Sequence, residues 1–157
     1  MATQILIFEL QDQRYGVPLA DVREILRAVS VTPLPEAPEV IDGVINVRGT
    51  VTPVLDVRKR LGLETKPLEP SDHFILTHAG DRGVVLRVDG ATSIAEVEPS
   101  DIEEAKRVVP HGVYVAGIAK LPDGLVLIHD LNAFLSEAEV IVLHKALSVS
   151  GQSEAEC

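Results

Sequence analysis

Apolar residues in this chain fall mostly into short β-branched runs set apart by one or two turn-forming residues. Gln4–Leu10 and Arg14–Pro18 read as two strands around a polar turn at Asp12 and Gln13, an opening hairpin. Leu19–Ala28 changes period. Its apolar residues at 19, 22, 25 and 26 are spaced by three and four, which predicts a helix, with Asp21 near its start and Arg27 near its end to suit the helix dipole. Pro33, Pro35 and Pro38 exclude a helix over Ser30–Pro38 and make it an extended connector. Val44–Val47 is a strand, Gly49 marks a tight turn, and Val51–Leu55 is the return strand. Pro53 lies inside the return strand and cannot donate to a ladder, so that strand is expected at an edge or at a bulge. Asp56 stands where an N-cap would, ahead of the helical turn Val57–Arg60.

Glu64–Asp72, with two prolines and three acids, is the best internal boundary. Beyond it, His73–His78 and Arg82–Val88 form a second hairpin, and Thr92–Val97 continues the β pattern. Pro99–Arg107 reads as a short acidic helical turn. Gly112–Lys120 and Leu125–His129 flank Asp123-Gly124, a hairpin signal. Asp130–Leu135 is a capped turn that echoes Asp56–Leu61, and Ser136–Leu147 can form a terminal helix. The small polar residues of 148–157 predict a disordered tail. In all, roughly nine or ten short strands separate into two groups near residue 70, a mainly β protein of two units.

Composition sharpens this picture. Of 157 residues 46% are hydrophobic but only 3% are aromatic, so the core is aliphatic. A net charge of −10 argues against nucleic acid or an anionic membrane surface as partner and favours a basic partner surface. The one cysteine is the last residue, which excludes an internal disulfide framework and suits a reducing compartment. No apolar run approaches the roughly 20 residues that span a bilayer, and the N-terminus reads as a strand, not a signal peptide. A cytoplasmic protein without direct membrane insertion is expected.

Catalytic chemistry finds little support. The histidines at 73, 78, 111, 129 and 144 include no i, i+4 pair and have no cysteine among them, so neither metal nor cofactor is expected. His129-Asp130 and Asp72-His73 lack a serine in an elbow setting. Neither GxGxxG nor GxxxxGK[ST] occurs. Glu96, Glu98, Asp101, Glu103 and Glu104 read as a solvated acidic face. An enzyme is not expected. The run from Val29 to Pro35, by contrast, is more apolar than an ordinary exposed connector, which marks Val22, Val29, Val31 and Leu34 as candidates for either core or docking.

The stretch from Gly43 to Arg58 carries a specific resemblance. Gly43, Val44, Ile45, Asn46, Val47, Arg48 and Gly49, followed by Pro53, Val54, Asp56, Val57 and Arg58, resemble the signature of the CheW family, adaptor proteins of bacterial chemotaxis arrays. Val47 and Val57 stand where the family usually has leucine. Tyr15-Gly16-Val17, Glu24-Ile25 and Val88-Asp89-Gly90 also match, and the resemblance spans about residues 4–147. It implies two five-stranded SH3-like β-barrels packed together, with short helices and a C-terminal helix. Residues 1–147 would be a single CheW-like domain, with a first barrel at about 12–68 and a second at about 71–135.

The resemblance further implies a non-catalytic adaptor that joins the signalling tip of a chemoreceptor (a methyl-accepting chemotaxis protein) to the regulatory domain of the CheA histidine kinase. It would be recruited to membrane-bound receptor arrays. The alternative is a CheW-like scaffold of a non-flagellar pathway for pilus motility, development or second-messenger control. Carried over, the receptor-facing residues are Val22, Glu24, Val29, Asn46 and Arg48, with Arg48 paired to Glu24 on the preceding helix. Arg48→Ala should weaken partner binding by more than Arg58→Ala.

Overall fold

The computed structural model describes residues 2–79, 82–104, 115–130, 139–140 and 142–148. Its strands are β1 (Thr3–Leu10), β2 (Gln13–Pro18), β3 (Val22–Arg27), β4 (Ile41–Val47), β5 (Thr50–Asp56), β6 (His73–Ala79), β7 (Arg82–Val88), β8 (Gly90–Val97), β9 (Ile102–Glu104), β10 (Val115–Leu121) and β11 (Gly124–His129), with a short helix α1 (Val57–Arg60) after β5.

Several strands are apolar without alternation, and the packing explains why. Along β1, Ile5 and Ile7 join one cluster with Val97, Ala119, Val126 and Ile128, while Leu6, Phe8 and Leu10 point the other way. Along β6, Phe74 and Leu76 line a cluster with Ile45, Val54 and Val85, while Ile75 points opposite. Both opposite faces meet in a third, shared core. Each of these strands is therefore buried on two sides, which removes the polar member of the usual two-residue pattern. Tyr15, beside Phe8 in register, adds a ring to this shared core, and the Tyr15 and His129 ring centroids stack 5.2 Å apart. Leu143 and Ala146 of the C-terminal helix close it from a further side, and Arg60 donates two hydrogen bonds of 2.7 and 2.9 Å to the Glu139 carboxylate of that helix.

The strands form a six-stranded sheet ordered β8-β1-β2-β11-β10-β9 and a five-stranded sheet ordered β3-β6-β7-β5-β4. These are the two β-units, but the chain does not divide between them at 64–72. β6 and β7 complete the sheet begun by β3–β5, and β1 and β2 pair with the later strands. The chain crosses between the sheets at Leu19–Asp21, between β2 and β3, and again at Asp89, between β7 and β8.

Two local expectations change. The helix predicted over Leu19–Ala28 is a 3₁₀ turn, Leu19–Asp21, followed by β3. β3 alternates half-buried and exposed residues and pairs antiparallel with β6, from Val22 opposite Thr77 to Arg27 opposite His73. Pairing to β6 satisfies its backbone, and no face of a helix is needed. β5 is not an edge strand, since β4 and β7 flank it. Pro53 fits because the parallel ladder to β7 begins one residue later, with Val54 opposite Val85. Pro99–Asp101 is a 3₁₀ turn that leads into β9. Residues 105–107, 112–114, 131–135 and 149–157, and His111, lie outside the described residues.

Candidate functional site

The β4–β5 hairpin closes through the pair Val47 and Thr50, leaving Arg48 and Gly49 as a two-residue loop. Their φ angles, +48° and +89°, are those of the type I′ turn whose twist matches the flanking strands. Gly49 adopts this without cost. Arg48 does not, because a left-handed backbone presses its Cβ against the following carbonyl. Asn46 supports the loop: its Oδ1 accepts the Gly49 N–H at 2.7 Å.

The Arg48 guanidinium, itself exposed, donates to the Glu24 carboxylate on β3. β3 and β4 are the two edges of the five-stranded sheet, so this ion pair spans the seam at which the sheet curls closed. The connector after β3 spans the same seam. Thr32 and Val44 exchange backbone hydrogen bonds of 3.0 and 2.8 Å. The pairing of Arg48 with Glu24 is thus present, although Glu24 rides on a strand and not a helix. The Glu24 hydrogen bond and charge raise the Arg48 pKa, keeping it cationic.

The other candidates separate. Asn46 and Val29 are exposed, Val29 at 53%. Val22 is half-buried against the shared core, Val31 packs into the five-stranded sheet's own core, and Leu34 is buried. The apolar strip expected over Val29–Pro35 therefore reduces to Val29. Ile25, 43% exposed on β3, takes its place beside Glu24.

Sequence reasoning missed a second cluster. Arg58 is buried, 9% exposed. Its Nε donates to Asp89 Oδ1 at 3.0 Å, its Nη2 to Asp89 Oδ2, and its Nη1 to the Glu64 carbonyl at 2.8 Å. Asp89 also accepts the Gln11 N–H from the β1–β2 turn, and its own N–H donates to the Glu9 carbonyl. One side chain from α1 thereby clamps the segment where the chain passes between sheets. Around it, Arg87 donates to Asp42 at 2.8 Å and to the Lys66 carbonyl at 2.7 Å, and Lys66 reaches Asp72 at 3.1 Å. Asp56 caps α1 by accepting the Arg58 N–H. The signals were visible as Asp56-Val57-Arg58 and Val88-Asp89-Gly90, but nothing local links the two.

Burial pushes the Asp89 carboxyl up, but the Arg58 hydrogen bond, the Gln11 N–H and the charges of Arg58 and Lys66 together hold it below the usual 3.8. Asp56 goes the other way, raised by burial and then by the charge of Asp42. A depressed acid contributes stability that is present above its unfolded-state pKa and lost as the pH falls through its folded value. The protein should therefore lose stability as the pH drops below about 4, partly offset by Asp56, whose protonation is favoured in the folded state. Asp89→Asn should flatten that acid limb in urea titrations at stepped pH. An unchanged limb would remove Asp89 from its cause.

Residues 4–139 match the family model described as a CheW-like domain. The chain belongs to the CheW family. The CheW-like chain is 32% identical over 136 residues to the chemotaxis protein CheW of Bacillus subtilis (strain 168), covering 85% of this chain and 87% of that one. It is also 32% identical over 99 residues to protein FrzA of Myxococcus xanthus, covering 63% and 62%. Among solved structures it resembles the scaffolding protein TtCheW of Thermoanaerobacter tengcongensis, with a TM-score of 0.82 and 31% identity over 88% of this chain and 96% of that one. The fold is therefore the mainly β CheW fold of two SH3-like units. Members of the family are scaffolding adaptors of chemosensory arrays. No helix among the described residues is long and apolar enough to cross a membrane.

Proposed function

We propose that this CheW-family protein is a non-catalytic, cytoplasmic adaptor that couples chemoreceptors to the CheA kinase and is recruited to membrane-bound arrays. One observation carries the reading: an exposed arginine held in a left-handed turn, its guanidinium fixed by Glu24 across the seam of the sheet. Strained non-glycine backbone persists where a side chain must be presented in one geometry. Ile25, next to Glu24 on β3, puts apolar surface beside it, and Ile94 on β8 is a further exposed apolar residue. Ile25 is opposite Ile75 and Ile94 opposite Leu6, so both project toward the side of the shared core while staying exposed, at 43% and 55%. An apolar rim next to a fixed charge pair suits the helical tip of a receptor, which would lay an apolar face against it. Val29, Asn46 and the exposed edge of Glu24 would complete the contact, with Val22 supporting it from beneath.

Arg48→Ala should weaken binding of a chemoreceptor cytoplasmic fragment by about tenfold or more, as expected for a charge-assisted contact at an interface centre. The exchanged pair, Glu24→Arg with Arg48→Glu, should recover part of it. Calorimetric titration checks both. Wild-type protein that binds neither the receptor fragment nor the CheA regulatory domain at micromolar concentration would overturn the adaptor reading. Similarity to FrzA favours a second reading, the same adaptor role in a non-flagellar chemosensory pathway. Neighbouring genes distinguish the two.

A further inference from the structure

At the open end of the five-stranded sheet, next to the hairpin tip, lies a shallow cavity of about 450 Å³. Leu76 and Val47 give it apolar lining, and both belong to or pack on the sheet's internal core. Arg23, Arg48 and His78 give it polar lining. Arg48 is compensated by Glu24. The Arg23 side chain has no ion-pair partner among the described residues, whereas Arg58, Arg60 and Arg87 are all paired. His78 shares the cavity, and its Nδ1 is buried without a hydrogen-bond partner. Thr52 is already engaged, its hydroxyl donating to the Thr50 carbonyl at 3.2 Å.

Arg23 is exposed, so its unpaired guanidinium can donate to a ligand at this opening, while the orphaned His78 Nδ1 is shielded from solvent and wants a partner. What completes it must accept hydrogen bonds, carry negative charge and tolerate an apolar floor. We infer that this cavity receives a glutamate side chain of a partner protein, its carboxylate on the Arg23 guanidinium beside the His78 ring and its methylenes on Leu76 and Val47. A guanidinium suits that role because its planar fork matches a carboxylate. In a chain of net charge −10 such a basic cavity is a local reversal, so it would select an acidic residue from an otherwise repelled surface. The site lies at the Arg48 tip, and a partner on that tip reaches both.

This inference rests on the adaptor reading, and one experiment separates the two. Affinities for the receptor cytoplasmic fragment and for the CheA regulatory domain are measured with wild-type chain, Arg23→Gln, His78→Gln and Arg27→Gln. Arg27 is the control, an exposed arginine of the same strand without an ion pair among the described residues and outside the cavity lining. Arg23→Gln is expected to weaken one partner about tenfold, the loss when a charge-assisted hydrogen bond goes unmade. His78→Gln should weaken the same partner, and Arg27→Gln should leave it unchanged. Equal affinities for Arg23→Gln and Arg27→Gln, with wild type binding, overturn the cavity assignment and leave the adaptor standing. Wild type binding neither partner overturns both. Melting curves of the variants, expected to coincide with wild type, keep a folding defect from imitating the result.

Discussion

Gly43→Ala should be the most damaging single methyl that can be added to this chain. An ideal Cβ at Gly43 would lie 2.1 Å from the Thr32 carbonyl oxygen and 2.7 Å from its carbonyl carbon. These are backbone atoms, so no side-chain rotation makes room. To admit the methyl group, the connector must leave β4, which breaks the two Thr32–Val44 hydrogen bonds that close the seam. Overpacking against an unyielding neighbour together with two lost backbone hydrogen bonds amounts to about 4 kcal/mol. For a domain of this size the melting temperature should fall by about 10 °C. Gly49→Ala provides the contrast. Nothing lies within 4 Å of a Cβ there, and only the φ of +89° opposes it, at a cost of about 1 kcal/mol. Thermal unfolding of both variants checks the order. A Gly43→Ala protein as stable as Gly49→Ala would show that the connector is not seated as described.

The seam explains why these motif glycines and polar residues cluster in sequence. Asn46, Arg48 and Gly49 build the turn, Gly43 admits the connector, and Glu24 reaches across from the other edge. A sheet that closes on itself through one ion pair and one short bridge presents its tip in a fixed place. That is what an adaptor needs, because its output is the relative position of what it holds. Arg48→Asn would test the separation of display from folding. Asparagine tolerates the left-handed turn better than arginine, so the melting temperature should change by no more than about 3 °C while partner binding weakens as far as it does in Arg48→Ala.

Hairpins were legible in this chain wherever the turn residue was local, to within one residue: Gln11-Asp12 between β1 and β2, Arg48-Gly49 between β4 and β5, Pro122-Asp123 between β10 and β11. β3 was misread because its two faces carry the wrong chemistry for their burial. Glu24 sits on the half-buried side, held there by Arg48, and Ile25 sits on the exposed side. That exchange hides the period of two and leaves Val22, Ile25 and Leu26 at helical offsets. A functional pair and an exposed apolar residue therefore caused the error, and the error points to the site. The interleaving of the two sheets left no local trace, since β1 and β2 find their partners more than 70 residues away, with Leu6 opposite Ile94 and Tyr15 opposite Leu127. The pairs Arg58–Asp89 and Arg87–Asp42 were invisible for the same reason, being 31 and 45 residues apart.

Arg58→Ala is expected to do the reverse of Arg48→Ala, costing stability and leaving the docking tip intact. Three donors vanish together: two to Asp89 and one to the Glu64 carbonyl. Asp89 is then left partly buried with the Gln11 N–H and a Lys66 ammonium 3.8 Å away. Removing one member of a buried ion pair strands the other, at about 3 kcal/mol. Arg58→Lys should recover little, because an ammonium cannot present the fork that spans both Asp89 oxygens and the carbonyl. Asp89→Asn combined with Arg58→Ala should be less destabilised than the sum of the two single changes, with a coupling of about 2 kcal/mol. Urea unfolding at neutral pH measures all three. If Arg58→Ala unfolds at the wild-type midpoint, the clamp between the sheets does not hold them. If it unfolds early but still binds partner with wild-type affinity at low temperature, then Asp56-Val57-Arg58 serves the junction of the two sheets while Asn46-Val47-Arg48 serves the partner, and one continuous family signature divides into a structural half and a docking half.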